Sequence, residues 1–347
     1  MTRFKVKYGS ATSVAICAVL AVIPAVAFAQ TSQAALTAEV SATPAASATA
    51  APAPAATASP GEDEHPETGG FDPSKLTPEQ QQALQLAIVK LSQNPIGNIT
   101  VFPFQNNFNY GYGPYTRMQY NLNVQPVFPI MLSKDWTLVA RSIIPVINQP
   151  SSAPPTVCAS PYGCPSTFGL SNLQEQMYFG PKTKPDQLIW AIGPIFQFPT
   201  ATPAALGTAK WAAGPDAVAL VTPGKWVLGT LVTQLWSFAG PSRAPNVSSF
   251  LVQPFINYNL KNGWALTTAP LMSANWTLPG TKWTVPLGGG VAKTFKNNGQ
   301  LMQLTVLYYS DIVRPLAAPQ TTLRVTWSLL WPVKRGIDIQ QLLQQAK

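Results

Sequence analysis

Arg117, Gln119, Asn121 and Asn123 hold alternate positions in RMQYNLNVQPVFPIML, residues 117–132. A guanidinium followed by three carboxamides, each two residues on, is a hydrogen-bonding row. Such a row suits contact with water or a polar solute, not bond-breaking. Related side chains recur at Arg141, Gln253, Asn257 and Arg324, with rare carboxylates at Asp216 and Asp311. Together these residues are the candidate lining of a lumen, and none is assigned a catalytic role.

Groups able to do covalent chemistry are scarce. The one histidine, His65, sits in GEDEHPET, well before the patterned part of the chain. A Ser-His-Asp or His-assisted hydrolytic site therefore has no base there. In an Ala/Pro-rich neighbourhood His65 reads as a solvated side chain, not a metal ligand. Glu175, Asp216 and Asp311 stand apart in sequence, and each reads as an interior charge paired with Arg117, Arg141 or Arg324. The run GGGVAKT, residues 288–294, fails as a phosphate loop because Ala292 precedes Lys293 and the context is strand. The reading is a non-enzyme without cofactor or metal. The net charge of +9 is scattered and forms no nucleic-acid footprint.

The element that must position the first row is a long strand. Its even positions, Met118, Tyr120, Leu122, Val124, Phe128, Ile130 and Leu132, put apolar groups on the opposite face. A tilted strand needs roughly 9–11 residues to cross a bilayer, and this one is long enough. Charged residues make up only 10% of the chain while hydrophobic ones are an ordinary 46%. That combination fits a wall in which alternate residues face lipid.

From Asn98 the pattern yields twelve strands: 98–110, 116–132, 136–148, 169–180, 186–199, 211–222, 225–238, 247–260, 263–276, 281–295, 301–312 and 321–333. Connections after even strands are short, such as Pro223-Gly224 and Lys261-Asn262. Those after odd strands are mostly longer, such as Asn148 to Phe168. Short turns at one end and long loops at the other are a barrel's signature. Trp136, Trp226, Trp264 and Trp331 fall at the short-turn end. Tyr110, Trp211, Trp236, Trp276 and Trp283 fall at the other, as two interfacial girdles. The fold class is thus an all-β transmembrane antiparallel up-and-down β-barrel of about 12 strands, with a short N-terminal helix and a disordered linker. Pro126, Pro145, Pro194, Pro254, Pro270 and Pro286 fall near strand middles, where proline cannot complete a ladder. They predict a ring of local irregularity.

Residues 1–29 read as a cleaved signal peptide: Arg3, Lys5 and Lys7, an apolar run, then Ala27-Phe28-Ala29. Residues 30–74 read as a disordered Ala/Pro-rich linker. Residues 75–94 read as an amphipathic helix opened by Thr77-Pro78, in the periplasm or tucked into the barrel. Residues 95–334 are the outer-membrane barrel and 335–347 a polar tail. In an oxidising compartment Cys158 and Cys164 are expected to form a disulfide across a short loop.

Several segments resemble a known family: NPIGNITVFPFQNNFNYGYG, LNVQPVFPI, LGTAKWAAGPDAVAL, VQPFINYNLKNGW and WTVPLGGGV. The chain from about Asn94 to Lys334 is similar to a bacterial outer-membrane family of the phenol MetA-degradation-pathway type, often mislabelled "neuromedin U". The resemblance implies a Gram-negative outer-membrane barrel and a transporter loosely tied to aromatic or other hydrophobic compounds. It supplies no catalytic or binding residues. The tail after Trp331 departs from barrels that end on an aromatic residue. The expected function is a channel or transporter for small solutes, with outer-membrane lipid as partner. The alternative is a non-conducting structural or interaction barrel.

Overall fold

The computed structural model describes residues 77–97, 99–153, 155–158, 164–183 and 187–332. They fall within one compact unit, Thr68–Lys347. The expected signal segment, linker and tail, and His65, lie outside the described residues.

Helix α1, Pro78–Gln93, begins where the sequence places it. Thr77 caps it: its hydroxyl accepts from the Gln80 N–H, and the Gln80 side chain accepts from the Thr77 N–H in return. This reciprocal pair satisfies two of the orphan donors at a helix start. Only Ala87 and Val89 are buried on α1, so its apolar face is small.

Fifteen strands follow among the described residues: β1 Ile99–Tyr112, β2 Arg117–Val124, β3 Val127–Met131, β4 Trp136–Gln149, β5 Thr167–Leu170, β6 Leu173–Pro181, β7 Ile189–Phe198 and β8 Trp211–Val221. The rest are β9 Trp226–Ala239, β10 Ser248–Asn259, β11 Trp264–Thr268, β12 Met272–Asn275, β13 Trp283–Asn297, β14 Gln300–Val313 and β15 Thr321–Pro332. A one-turn helix, α2 (Pro155–Cys158), lies between β4 and β5. β2 with β3, β5 with β6, and β11 with β12 are broken halves of single staves. Counted so, the sheet is a closed antiparallel barrel of 12 staves, with β15 paired to β1 from Tyr110↔Thr321 to Ile99↔Pro332. Closure removes the exposed edges that an open sheet would present.

The turns explain the register. Between β13 and β14, Asn298 (φ 45) and Gly299 (φ 85) are both left-handed. That is the two-residue turn whose twist matches a hairpin. The other connections at this end are 132–135, 182–188, 222–225 and 260–263, while those at the opposite end include 150–166 and 199–210.

The irregularity predicted from the prolines is real and has a pattern. Pro126 and Pro270 sit in the breaks of two staves, and Pro286 marks a bulge against β14. Pro145 lies opposite the β5/β6 break, where its carbonyl accepts from the Ser171 N–H at 2.9 Å. Pro254 lies opposite the β11/β12 break, and Pro194 sits where the β6–β7 pairing lapses between Gln176↔Ile195 and Phe179↔Ile192. Each missing N–H is thus met by a stave that leaves the ladder there. At the last of these sites Gly193 approaches the neighbouring backbone closely: a Cβ there would meet the Met177 carbonyl oxygen at 1.7 Å. Gly193→Ala is therefore expected to destabilise the barrel by about 1–3 kcal/mol. A lowered urea midpoint, followed by tryptophan fluorescence in detergent, checks this.

The interior differs from the sequence expectation in one respect. Along β10, Gln253, Phe255, Asn257 and Asn259 point inward and Ile256 and Leu260 outward, as the alternation implies. In β7, β8 and β9, however, the inward residues are largely apolar. Val218, Leu220, Val227 and Leu231 join Val127, Val139, Tyr178, Ala191 and Phe255 in one buried cluster. Those strands are apolar on both faces, which is why their alternation is weak in the sequence. The barrel is packed on one side and polar on the other.

Candidate functional site

The polar side is built by β15, β1 and β2. Their registers set Asn107 between Arg324 and Asn121, Asn109 between Thr322 and Gln119, and Gln105 between Thr326 and Asn123. Directly opposed residues on one face have side chains within reach of each other, so three polar rungs cross the wall. Arg324 Nε donates to Asn107 Oδ1 at 2.9 Å, Asn109 Nδ2 to Gln119 Oε1 at 2.8 Å, and the Thr322 hydroxyl to Asn109 Oδ1 at 2.8 Å. Gln119 also meets Gln149.

Arg324 is buried, and its guanidinium lies 5.2 Å from the Tyr309 ring centre. Its Nη1 donates to the carbonyl of Ala269 at 3.2 Å, and the Ala269 N–H donates to the Tyr309 hydroxyl at 2.9 Å. Gln253 also donates to that carbonyl at 3.4 Å. Ala269 lies in the β11/β12 break, so interior side chains replace the ladder bonds that the stave gives up there.

A cavity of about 180 Å³ opens against this wall. Asn121, Asn123, Asp311 and Arg324, all expected lining residues, border it, together with Gln105, Asn107, Asn109, Tyr309 and Thr322, which the sequence reading omitted. The signal for the β1 row was present as Gln105, Asn107 and Asn109. Asn106 on the outward face obscured it; there it accepts from the Tyr120 hydroxyl at 2.7 Å and donates to the Val325 carbonyl at 3.2 Å.

The other expected residues lie elsewhere. Asp216 is buried on β8, where its carboxylate accepts from Gln176 at 2.6 Å, the Tyr178 hydroxyl at 2.8 Å and Thr233 at 2.9 Å. Arg141 donates to Gln125 Oε1 at 2.5 Å. Asn257 is buried on the inward face of β10. Arg117 turns to the long loop, donating to the Cys164 carbonyl at 2.6 Å and to the Ser166 hydroxyl at 3.1 Å. That loop carries the Cys158–Cys164 disulfide.

Among the described residues Arg117, Arg141 and Arg324 make no direct contact with a carboxylate, although Arg141 lies close enough to Asp216 to act on it through space. Each arginine is held by neutral oxygens. The hydrogen bonds to Asp216 come from neutral donors, and Glu175 accepts from Ser142 at 2.5 Å. Glu175 lies on the outward face with Met177 and exposed Phe179. Neutral partners satisfy a charge without requiring the long, exact side-chain reach of an ion pair.

At the short-turn end, α1 leans on the barrel. Lys90 donates to the Thr222 carbonyl at 3.0 Å, Gln93 donates to inward-facing Asn259 at 2.8 Å, and Gln303 donates to Ser92 at 3.2 Å. Aromatic pairs mark both rims: Trp136 with Trp190 and Trp226 with Tyr258 here, Trp276 with Trp283 and Phe198 with Trp211 at the other.

A closed antiparallel barrel with apolar outward faces and two aromatic rims is the architecture of outer-membrane barrel proteins. The comparisons with solved structures agree on that fold. The chain is similar to an outer membrane channel from Pseudomonas putida F1, at 15% identity and a TM-score of 0.50, over 67% of this chain and 94% of that one. It also matches CymD, a monoaromatic hydrocarbon channel, at 10% identity and a TM-score of 0.38, over 73% and 92%. No family model matches the chain, and no curated protein matches it in sequence.

One expectation is corrected by these matches. The chain also matches outer membrane phospholipase A from Escherichia coli, at 12% identity and a TM-score of 0.38, over 72% and 97%. Barrels of this kind thus include an enzyme, and the expectation of a non-enzyme, drawn from the missing histidine, does not stand. At that level of similarity the match shares a fold and assigns no activity to this chain.

Proposed function

We propose that this chain is a passive channel of the outer membrane for small solutes, with its short turns in the periplasm and its long loops outside. The observation that carries the reading is the polar cavity inside a closed wall. An interior used only for packing has no need of an open, hydrogen-bonding surface. The resemblance of its segments to the phenol MetA-degradation-pathway family extends the reading to aromatic or hydrophobic solutes. Leu271, Pro286, Pro319 and the Tyr309 ring, which border the cavity, offer such solutes a carbon surface.

A second reading has a specific observation behind it. The buried cluster and the contacts of α1 fill part of the interior, as a non-conducting structural or interaction barrel would require. Swelling of liposomes carrying the purified protein separates the two. The channel reading expects swelling with small solutes and discrete conductance steps in planar bilayers. Folded barrels that never conduct and admit no solute would overturn it.

A further inference from the structure

The short-turn end carries a pattern of charge that passage through the barrel leaves unexplained. Its five turns each hold an exposed lysine, in the turn or beside it: Lys134, Lys182, Lys225, Lys261 and Lys296. Asp135 is the one carboxylate among the described residues of these turns. The ammonium groups of Lys134, Lys225, Lys261 and Lys296 make no hydrogen bond or ion pair among the described residues. Neighbouring turns are tied together. The Lys182 N–H donates to the Asp135 carbonyl at 2.7 Å, and the Asn259 N–H to the Lys225 carbonyl at 2.9 Å. Adjacent hairpins stand about 10 Å apart, two strand spacings, so the charges form a rim and not scattered points.

The opposite end is different. There Arg117, Lys282 and Arg314 are tied to main-chain carbonyls, and Lys210 is buried. Among the described residues of that end, Arg243 is the cation left both exposed and unbonded. The lysines of the short-turn rim also stand in a fixed relation to aromatic rings. Trp136, Trp226 and Trp264 open β4, β9 and β11, face outward and are 44%, 42% and 45% exposed. Lys134, Lys225 and Lys261 precede them by two, one and three residues. At roughly 3.3 Å per residue, each lysine is set no more than about 10 Å beyond its ring, on the side away from hydrocarbon. Amphipathic rings settle at headgroup depth. The ammonium groups therefore stand where lipid phosphates lie.

We infer that the short-turn rim binds anionic phospholipids of the inner leaflet. Headgroup phosphates lie on the lysines, and the glycerol and upper acyl region lie on the neighbouring indoles. Charge complementarity and depth both favour this occupant. A soluble acidic partner would meet the lysines but leave the outward indoles unused, whereas a lipid engages both. The inference rests on the membrane placement in the channel reading, with short turns in the periplasm. It does not depend on conduction.

The test reads tryptophan quenching in the full chain, reconstituted into phosphatidylcholine vesicles that carry a minor share of one brominated lipid. Brominated phosphatidylglycerol is expected to quench more than brominated phosphatidylcholine at the same share. Each cation near an anionic membrane surface strengthens the attraction roughly fivefold, which sets the scale of the preference. Combining Lys134→Gln, Lys225→Gln, Lys261→Gln and Lys296→Gln is expected to remove most of it. Salt at about 1 M should reduce it too, because screening then acts over about 3 Å. Arg243→Gln, at the other end, should leave it unchanged. Heat-modifiable mobility confirms that each variant is folded. If the fourfold variant is not, Lys225→Gln with Lys261→Gln decides, with at least half of the preference lost. Equal quenching by the two lipids, or a preference that survives the lysine substitutions, would overturn the inference. Loss of the preference to millimolar inorganic phosphate or to soluble polyglutamate would also overturn it, assigning the rim to a free anion or an acidic protein. A barrel that conducts without the preference loses only this inference. One that keeps the preference but never conducts loses only the channel.

Discussion

Arg324→Ala is expected to lower the stability of the folded barrel by about 3 kcal/mol. The side chain is 6% exposed, so little water replaces what it gives up. It donates to Asn107 Oδ1 and to the Ala269 carbonyl, and it covers Tyr309. Removing it leaves buried acceptors short of donors beside a stave already broken between β11 and β12. Arg324→Lys should recover only part of the loss, because one ammonium cannot reproduce a planar fork that reaches two acceptors and a ring face. Urea titrations in detergent, comparing the three proteins, measure the effect. An unchanged midpoint in the alanine variant would mean that Arg324 does not hold the break.

Deleting 77–94 is expected to act in the opposite sense, with a large effect on passage and a small one on stability. Only Ala87 and Val89 of α1 are buried, so its loss should cost no more than about 1–3 kcal/mol. Yet α1 lies across the short-turn end, tied to inward-facing Asn259 and to Gln303. A barrel of this size has a narrow interior, so removing an obstruction at its end should raise single-channel conductance severalfold. Gln93→Ala, which cuts the Asn259 contact alone, should raise open probability more than conductance. Equal conductance with and without the segment would show that α1 does not restrict the path.

Both effects depend on features that were unequally legible in the sequence. The row Arg117, Gln119, Asn121, Asn123 was legible because hydrophilic and apolar residues alternate cleanly there, and a one-residue slip would reverse every face. β10 and β15 read equally well. The turn at Asn298-Gly299 uses two residues that tolerate left-handed backbone. The extents of β7 to β9 were legible, but which of their faces turns inward was not, because apolar residues lie on both faces and periodicity cannot report a packed interior. The partners of the arginines were not legible at all. Arg141 meets Gln125 and Arg324 meets Asn107 through registers across staves. Neither distance in sequence nor charge sign specifies those contacts. The proline ring was visible as a conflict with strand rules, but its resolution needed both neighbours of each proline.

The account stands on one physical claim: outward residues of each stave meet hydrocarbon while their neighbours face the interior. Single cysteines at 322, 323, 325, 326 and 327 on β15, each labelled with a fluorophore in reconstituted vesicles, test it most directly when the lipid carries a quencher. The account predicts strong quenching at 323, 325 and 327 and weak quenching at 322 and 326. Quenching without a two-residue period, or strongest at 322 and 326, would contradict it.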